Sequence, residues 1–393
     1  MVMNKKNTHD DVLTKSIICF AEDWGRFPSS AQEIMARLSS EYKILWVDSL
    51  GLRPPQFCLA DLQRIWYKIK KWFQGTDYYT VDVEKDYKII LYTPLVIPYH
   101  RYRFVRWINQ WLLILSIRFL MRKYNLTHRI LWIACPAAAG MVGKLNEEKS
   151  IYYCADEYAE FPGMSRPLVD KLENRLLQKV NWVLVTSQTL LTKKREKYAG
   201  TFYIPHGVDF AHFAKATQED TPIPDEMKLY SKPILGYFGL IQDLIDFELI
   251  RFIAQSRSEW SLVMIGPKIF DVQYIPDLPN LHLLGQKPYA MLPNYIKSFD
   301  VCLIPYKLTP RTVYANPLKL RQYLAAGKPV VSTPGTEALR YRDVIRIGQT
   351  HEQFFYEIEQ ALANNSSEEV KKRMERVRPE AWEIVLPKIK DFL

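Results

Sequence analysis

Short apolar runs recur along this chain, each closed by a small or acidic residue and each separated from the next by a stretch long enough for a helix. The first series is SIICFA (16–21), KILWVD (43–48), KIILYT (88–93), RILWIA (129–134), SIYYCAD (150–156) and WVLVTS (182–187), with a helical window at Ala31–Ser39 between the first two. Runs that are apolar on both alternating faces suit strands covered on both sides, which is how parallel sheets are built. The segment PHGVDFAHF (205–213) and the polar, proline-containing stretch up to Pro233 interrupt the series. It then restarts as PILGYFG (233–239), SLVMIG (261–266), LHLLG (281–285), VCLIP (301–305), PVVST (329–333) and VIRIG (344–348). A chain of 393 residues also exceeds what one core usually organises. The expectation is an α/β protein of two Rossmann-like, doubly wound domains facing each other across a cleft, 1–208 and 209–378, with a C-terminal helix in 379–393 returning to the first. In such sheets ligands sit at the carboxyl ends of the strands, which makes the strand-end residues the candidates for function.

Charge narrows the choice of partner. The net charge of +10 and a pI near 9.1 favour polyanions: nucleic acid, anionic lipid or phosphorylated substrates. No RNA-binding signature and no zinc-finger spacing accompanies that charge, which disfavours nucleic acid. Cys19, Cys58, Cys135, Cys154 and Cys302 are scattered singly and read as reduced core residues, with no metal-ligand spacing. The polar start MVMNKKNTHDDVLTKS lacks the succession of a secretion signal, so the chain is expected to work in the cytoplasm. The apolar run Trp107–Ile117, flanked by Arg106 and Arg118, is read as too short to span a bilayer.

Two segments combine basic and apolar residues at helical spacing. Leu62–Phe73 sets Leu62, Trp66, Ile69 and Phe73 on one side with lysines over the rest, and Tyr99–Lys123 brackets an aromatic and aliphatic centre with arginines. Membrane contact at the inner face is expected through Trp66, Lys68, Lys70, Lys71, Trp72, Arg103 and Arg106. For the longer segment, packing of its apolar face on the core is the competing reading.

The most informative window is NPLKLRQYLAAGKPVVST (316–333), a helix with Leu318, Leu320, Tyr323 and Leu324 on its apolar positions, ended by Gly327 and followed by a buried strand. It resembles the donor-binding helix of retaining GT-B glycosyltransferases of the group 1 type that build bacterial surface polysaccharides. That resemblance implies a UDP- or GDP-sugar donor, held by Asn316, Pro317, Leu318 and Lys319, with no metal and no other cofactor. A helix start at Pro317 would offer backbone N–H groups to a diphosphate and Lys319 a charge. Where the family usually carries two glutamates this chain has Tyr314 and Gln322, the latter at the ribose position. Gly239, Asp243 and Gly266 resemble the phosphate-approaching loops, with Asp243 or Asp246 expected to cap a helix instead. Arg311 and Lys307 are candidate diphosphate clamps.

In the first domain, AEDWGRFPSSAQEI (21–34) follows a strand. Asp23 is a catalytic candidate there, and Trp24, Gly25 and Arg26 are acceptor-binding candidates; Ser29 or Ser30 is expected to cap the next helix. Asp156 and Glu157 in YYCADEYAEFPG resemble a paired-acid segment of bacterial polysaccharide glycosyltransferases and are candidates for general base, with helix capping as the alternative. The family's frequent histidine after the fourth strand has no counterpart in IACPAAAGMVG. The implied reaction is sugar transfer to a hydroxyl of a lipid-linked saccharide; a sugar-nucleotide epimerase and a catalytically degenerate membrane scaffold are the rivals.

Overall fold

The computed structural model describes residues 14–26, 28–51, 78–80, 88–97, 99, 102–269 and 275–393, with backbone only at 78–80 and 88. The segment 62–73, with Trp66, Lys68, Lys70, Lys71 and Trp72, lies outside the described residues. The chain divides into two compact units. One runs to Ile204 and takes back Ile389–Leu393; the other is Pro205–Lys388.

The first unit is an eight-stranded sheet in the order β3-β4-β2-β1-β5-β6-β7-β8. Its strands are β1 (Ser16–Phe20), β2 (Lys43–Val47), β3 (Tyr78–Thr80), β4 (Lys88–Tyr92), β5 (Arg129–Ile133), β6 (Lys149–Cys154), β7 (Trp182–Val185) and β8 (Thr201–Tyr203). All pairings are parallel except β3 with β4. β1 is central: Ile18 is in register with Leu45 on one side and Leu131 on the other, and all five of its residues are buried. The helices are α1 (Ser30–Leu38), α2 (Arg103–Lys123), α3 (Arg166–Leu177) and α4 (Gln188–Arg195). Ser29 starts α1 by accepting from the Gln32 amide, as its position before an apolar window predicts, and the helix buries Ile34, Met35 and Leu38. The end of the chain is tied to this unit. Phe392 packs 5.0 Å from Phe202 and 5.8 Å from Trp182, and Lys149 Nζ donates to the Leu393 carbonyl at 2.6 Å.

The second unit is a wholly parallel six-stranded sheet, β11-β10-β9-β12-β13-β14. The strands are β9 (Ile234–Phe238), β10 (Ser261–Ile265), β11 (Leu281–Leu283), β12 (Val301–Ile304), β13 (Val330–Ser332) and β14 (Arg346–Ile347). Around them lie α5 (Phe210–Ala214), α6 (Phe247–Ser256), α7 (Leu292–Lys297), α8 (Pro310–Tyr314), α9 (Leu318–Ala325), α10 (Thr336–Leu339), α11 (His351–Ala363), α12 (Ser367–Val377) and α13 (Trp382–Lys390). Alternate residues of β9 feed different cores: Ile234 and Phe238 join Phe299, Leu320 and Tyr323, whereas Leu235 and Tyr237 join Ile250, Ile253 and Phe354. In both sheets the strand order reverses at the first strand, between β1 and β5 and between β9 and β12. Those reversals are where doubly wound sheets open a crevice.

The first and last segments of the second unit pair with each other. Val208 N donates to the Glu380 carbonyl and Trp382 N to the Val208 carbonyl. His206 is buried beside this seam. Burial, and then the Arg321 guanidinium, push its pKa from the ordinary 6.5 down to about 3. The folded unit therefore holds a neutral ring while the unfolded chain takes up a proton below the ordinary value. Stability is complete above that value and falls as pH drops toward the folded one, by up to about 1.4 kcal/mol per pH unit. The urea midpoint of this unit is expected to fall between about pH 7 and pH 5, and His206→Phe to flatten that dependence.

Candidate active site

The loops at the carboxyl ends of β9, β10 and β12 are laced together by backbone bonds. Gly239 N donates to the Ile265 carbonyl, Gly266 N to Gly285, Ile241 N to Pro267, Asp246 N to Pro305 and Lys307 N to Leu244. Two glycines make this possible. Both have positive φ, 124° at Gly239 and 146° at Gly266, and a Cβ on Gly266 would stand 1.9 Å from the Gly239 carbonyl oxygen. A Cβ on Gly239 would meet Lys319 Cε at 2.9 Å and Nζ at 3.0 Å. The structure thus brings Gly239, Gly266 and Lys319, three of the residues singled out in the sequence, to one spot at the β9/β12 reversal.

Lys319 is seated by two tyrosines that the sequence gave no reason to single out. Its Nζ donates to Tyr237 Oη at 2.9 Å and to Tyr306 Oη, and lies 4.4 and 4.9 Å from the two ring centroids. Tyr237 Oη in turn donates to the Leu240 carbonyl at 2.8 Å. Burial and then Tyr306 push the Tyr237 pKa well up, so it remains a protonated donor. Cation and rings hold one another, leaving an ammonium fixed in position beside the backbone turn.

α9 begins at Pro317 with no side-chain cap, so its first amides have no capping side chain. A cavity beside it at the ends of β12 and β13 is lined by Tyr306, Thr312, Ala315, Pro317, Ser332 and Thr333 among others. Leu318 and Gln322 are half-buried, and the Gln322 carboxamide makes no hydrogen bond to the described residues. Asn316 is a correction: it is buried and accepts from Arg321 Nη1, whose Nε pairs with Glu380, itself bonded by Tyr341 Oη at 2.6 Å. Its carboxamide oxygen holds the turn into α9. Asp243 is exposed, and Asp246 caps α6 by accepting from the Leu249 amide. Arg311 is half-buried on α8, Lys307 exposed before it, and Tyr314 half-buried at the end of that helix.

In the first unit the strand ends carry a second cluster, and three candidates are corrected. Asp23 is buried and turned inward, accepting from Ser49 N at 3.2 Å and Ser49 Oγ at 2.6 Å, with Arg26 at 3.9 Å. Trp24 stacks edge-on against Trp46 at 4.7 Å, and its amide donates to Asp48 Oδ1. Both residues bind the β1 loop to the β2 loop. Glu157 is buried between lysines: Lys194 Nζ lies 2.9 Å from its Oε2 and Lys193 Nζ at the same distance. Burial raises its pKa, but the two lysines outweigh that and leave it lowered, so this carboxylate is a poor proton acceptor.

Asp156 is half-buried at the end of β6. Glu22 was not singled out in the sequence. It is half-buried at the end of β1, where its carboxylate accepts from Ser29 Oγ and, at 3.2 Å, from Gln32 Nε2. Cys135 ends β5 with its thiol pushed up to about 11, mainly by burial, so it is neutral. Gly25, at φ 73°, and Arg26 form the exposed tip. Among the described residues no group of three or more metal-ligating side chains occurs.

With this geometry in hand, the likeness to known proteins can be placed. No family model matches the chain. The chain is 27% identical over 288 residues to TuaH of Bacillus subtilis (strain 168), a proposed teichuronic acid biosynthesis glycosyltransferase; the match covers 67% of this chain and 71% of that protein. Among solved structures, Anabaena HepE in complex with UDP and glucose superposes with a TM-score of 0.67 at 10% identity, covering 96% of this chain and 98% of that one. A trehalose-phosphate synthase of Burkholderia vietnamiensis does so with a TM-score of 0.66 at 11% identity, covering 96% of each. The fold is GT-B. In the GT-B frame, the Gly239–Gly266–Lys319 spot belongs to the C-terminal unit and the Glu22–Cys135–Asp156 strand ends to the N-terminal one.

Proposed function

We propose that this chain is a glycosyltransferase that moves a sugar from a UDP-sugar to a hydroxyl of a lipid-held saccharide in bacterial surface-polysaccharide synthesis, in the cytoplasm. The observation that carries the reading is the fixed ammonium of Lys319 beside two glycines at a strand-order reversal, a cationic spot with close backbone approach suited to a diphosphate. The relative named for teichuronic acid synthesis and the neighbours solved with UDP or UDP-glucose support the donor and the product class.

In the reaction the bond from the anomeric carbon to the diphosphate breaks and a bond from that carbon to the acceptor oxygen forms. Negative charge grows on the leaving diphosphate, where Lys319, Arg311 and the first amides of α9 stabilise it without a metal. Gln322 would meet the ribose as a neutral amide. The hydroxyl proton passes to the departing phosphate. Retention of anomeric configuration follows the family resemblance.

The test is turnover of radiolabelled UDP- and GDP-sugars with membrane lipid extracts as acceptor, with and without EDTA. Acceptor-dependent transfer from a UDP-sugar, unaffected by EDTA, is the expected result. Isomerised donor without acceptor would favour the epimerase, and absence of any nucleotide binding the scaffold.

A further inference from the structure

α2 has two apolar faces. Val105, Leu113, Ile117 and Leu120 lie on its buried side, while Phe104, Trp107, Trp111, Leu112, Leu115 and Phe119 are between 48% and 65% exposed. The exposed set recurs at three- and four-residue intervals, which keeps it on one side of the helix. Such a continuous apolar face is unusual on a surface with no partner. The loop leading into α2 adds exposed Leu95, Ile97, Tyr99 and Tyr102.

Within Arg103–Lys123 the charged residues are Arg103, Arg106, Arg118, Arg122 and Lys123, with no carboxylate among them. Arg118 and Arg122 share the exposed side by the same spacing, and both are exposed.

We infer that this face of α2 is the docking surface for an anionic lipid bilayer, with the helix lying in the interface. Aromatic and leucine side chains would enter the headgroup boundary while the cations meet lipid phosphates. A second copy of the chain fits less well, because a two-fold contact brings the same cationic, carboxylate-free helix face together with itself.

α2 is long and apolar enough to cross a membrane by length and composition, contrary to the shorter span read in the sequence. Its other face, however, is pinned to the first unit. Asn109 accepts from Ile97 N and donates to the Ile97 carbonyl, both at 2.8 Å, and Gln110 donates to the Gly140 carbonyl. Crossing would strip those bonds and expose the core beneath, so the helix lies on the surface. The inference names a partner for the proposed transferase and supplies a reason for its acceptor to be lipid-held, but rests on α2 alone.

The test is sedimentation of the full-length protein with vesicles of phosphatidylcholine alone or mixed with phosphatidylglycerol, beside a Trp111→Asp/Leu115→Asp variant. Both positions are exposed, so the variant is expected to fold and to bind UDP as the parent does. The parent should bind the anionic vesicles at least tenfold better than the neutral ones, and the variant should lose that binding by at least tenfold. Equal vesicle binding by the two proteins, or none by the parent, would overturn the inference. A dimer in sedimentation velocity that the variant converts to monomer, without lipid binding, would assign the face to a second copy. Vesicle binding by the parent with no UDP binding in either protein would leave this inference standing and remove the catalytic reading.

Discussion

Lys319→Ala is expected to weaken UDP binding by about 30- to 150-fold, the loss of about 2–3 kcal/mol that removing a charged donor from an anion usually costs. The ammonium is held by Tyr237 and Tyr306, so its place is set before any ligand arrives and little ordering remains to be done on binding. Two further variants separate charge from position. Lys319→Arg keeps the charge but replaces a compact ammonium by a planar fork in a seat bounded by two rings at 4.4 and 4.9 Å, and it is expected to recover little affinity. Tyr306→Phe keeps the ring and removes the hydroxyl, and a smaller loss of about three- to fivefold is expected, because the ring and the Tyr237 hydroxyl still seat the ammonium. Calorimetry with UDP on all four proteins reads the series. An affinity for Lys319→Ala within twofold of the parent would remove the donor site from this spot.

Much of the scaffold was legible because a parallel sheet covered on both faces writes its strands as continuous apolar runs. Every run proposed as a strand is one, and the reversal points follow from the order in which the runs pair. The strands left unread, Tyr78–Thr80 and Thr201–Tyr203, are three residues each, too short to carry a period. The glycines and Lys319 were legible because motif and conformation coincide there.

The strand-end side chains of the first unit were not, and the cause is register. Whether Asp23 faces a ligand or its neighbour depends on Ser49, 26 residues away, arriving beside it at the end of β2. Tyr237 and Tyr306 sit in or next to apolar runs and read as core, although their hydroxyls hold the cation. α2 carries apolar residues on two faces, so its sequence does not say which of them the rest of the first unit covers.

Glu157 shows how a residue picked for chemistry turns out to carry stability, and it leads to the largest stability effect expected here. Lys194 is fully buried; its Nζ lies 2.9 Å from Glu157 Oε2 and 2.7 Å from Glu173, which also accepts from Tyr152 Oη at 2.8 Å. Lys194→Met leaves two carboxylates in the interior without their cation, and a loss of about 3–5 kcal/mol in the first unit is expected, as for other buried pairs broken on one side. The pH dependence should change sign with it. In the parent the Glu157 pKa is lowered, so its contribution is complete above the ordinary value of 4.5 and is lost as pH falls through the folded value. In Lys194→Met burial acts on Glu157 offset only by Lys193, which is partly exposed to solvent. Its folded pKa then lies above the unfolded one, and the deficit against the parent should shrink as the solution is acidified toward about pH 5. Adding Glu157→Gln and Glu173→Gln to Lys194→Met removes the stranded charges, so the triple variant should be more stable than the single one, a non-additive result expected when residues share one network. Urea titrations of the first unit at two pH values decide the matter. A Lys194→Met deficit below about 1 kcal/mol, or one that grows on acidification, would mean that water rather than lysine solvates these carboxylates.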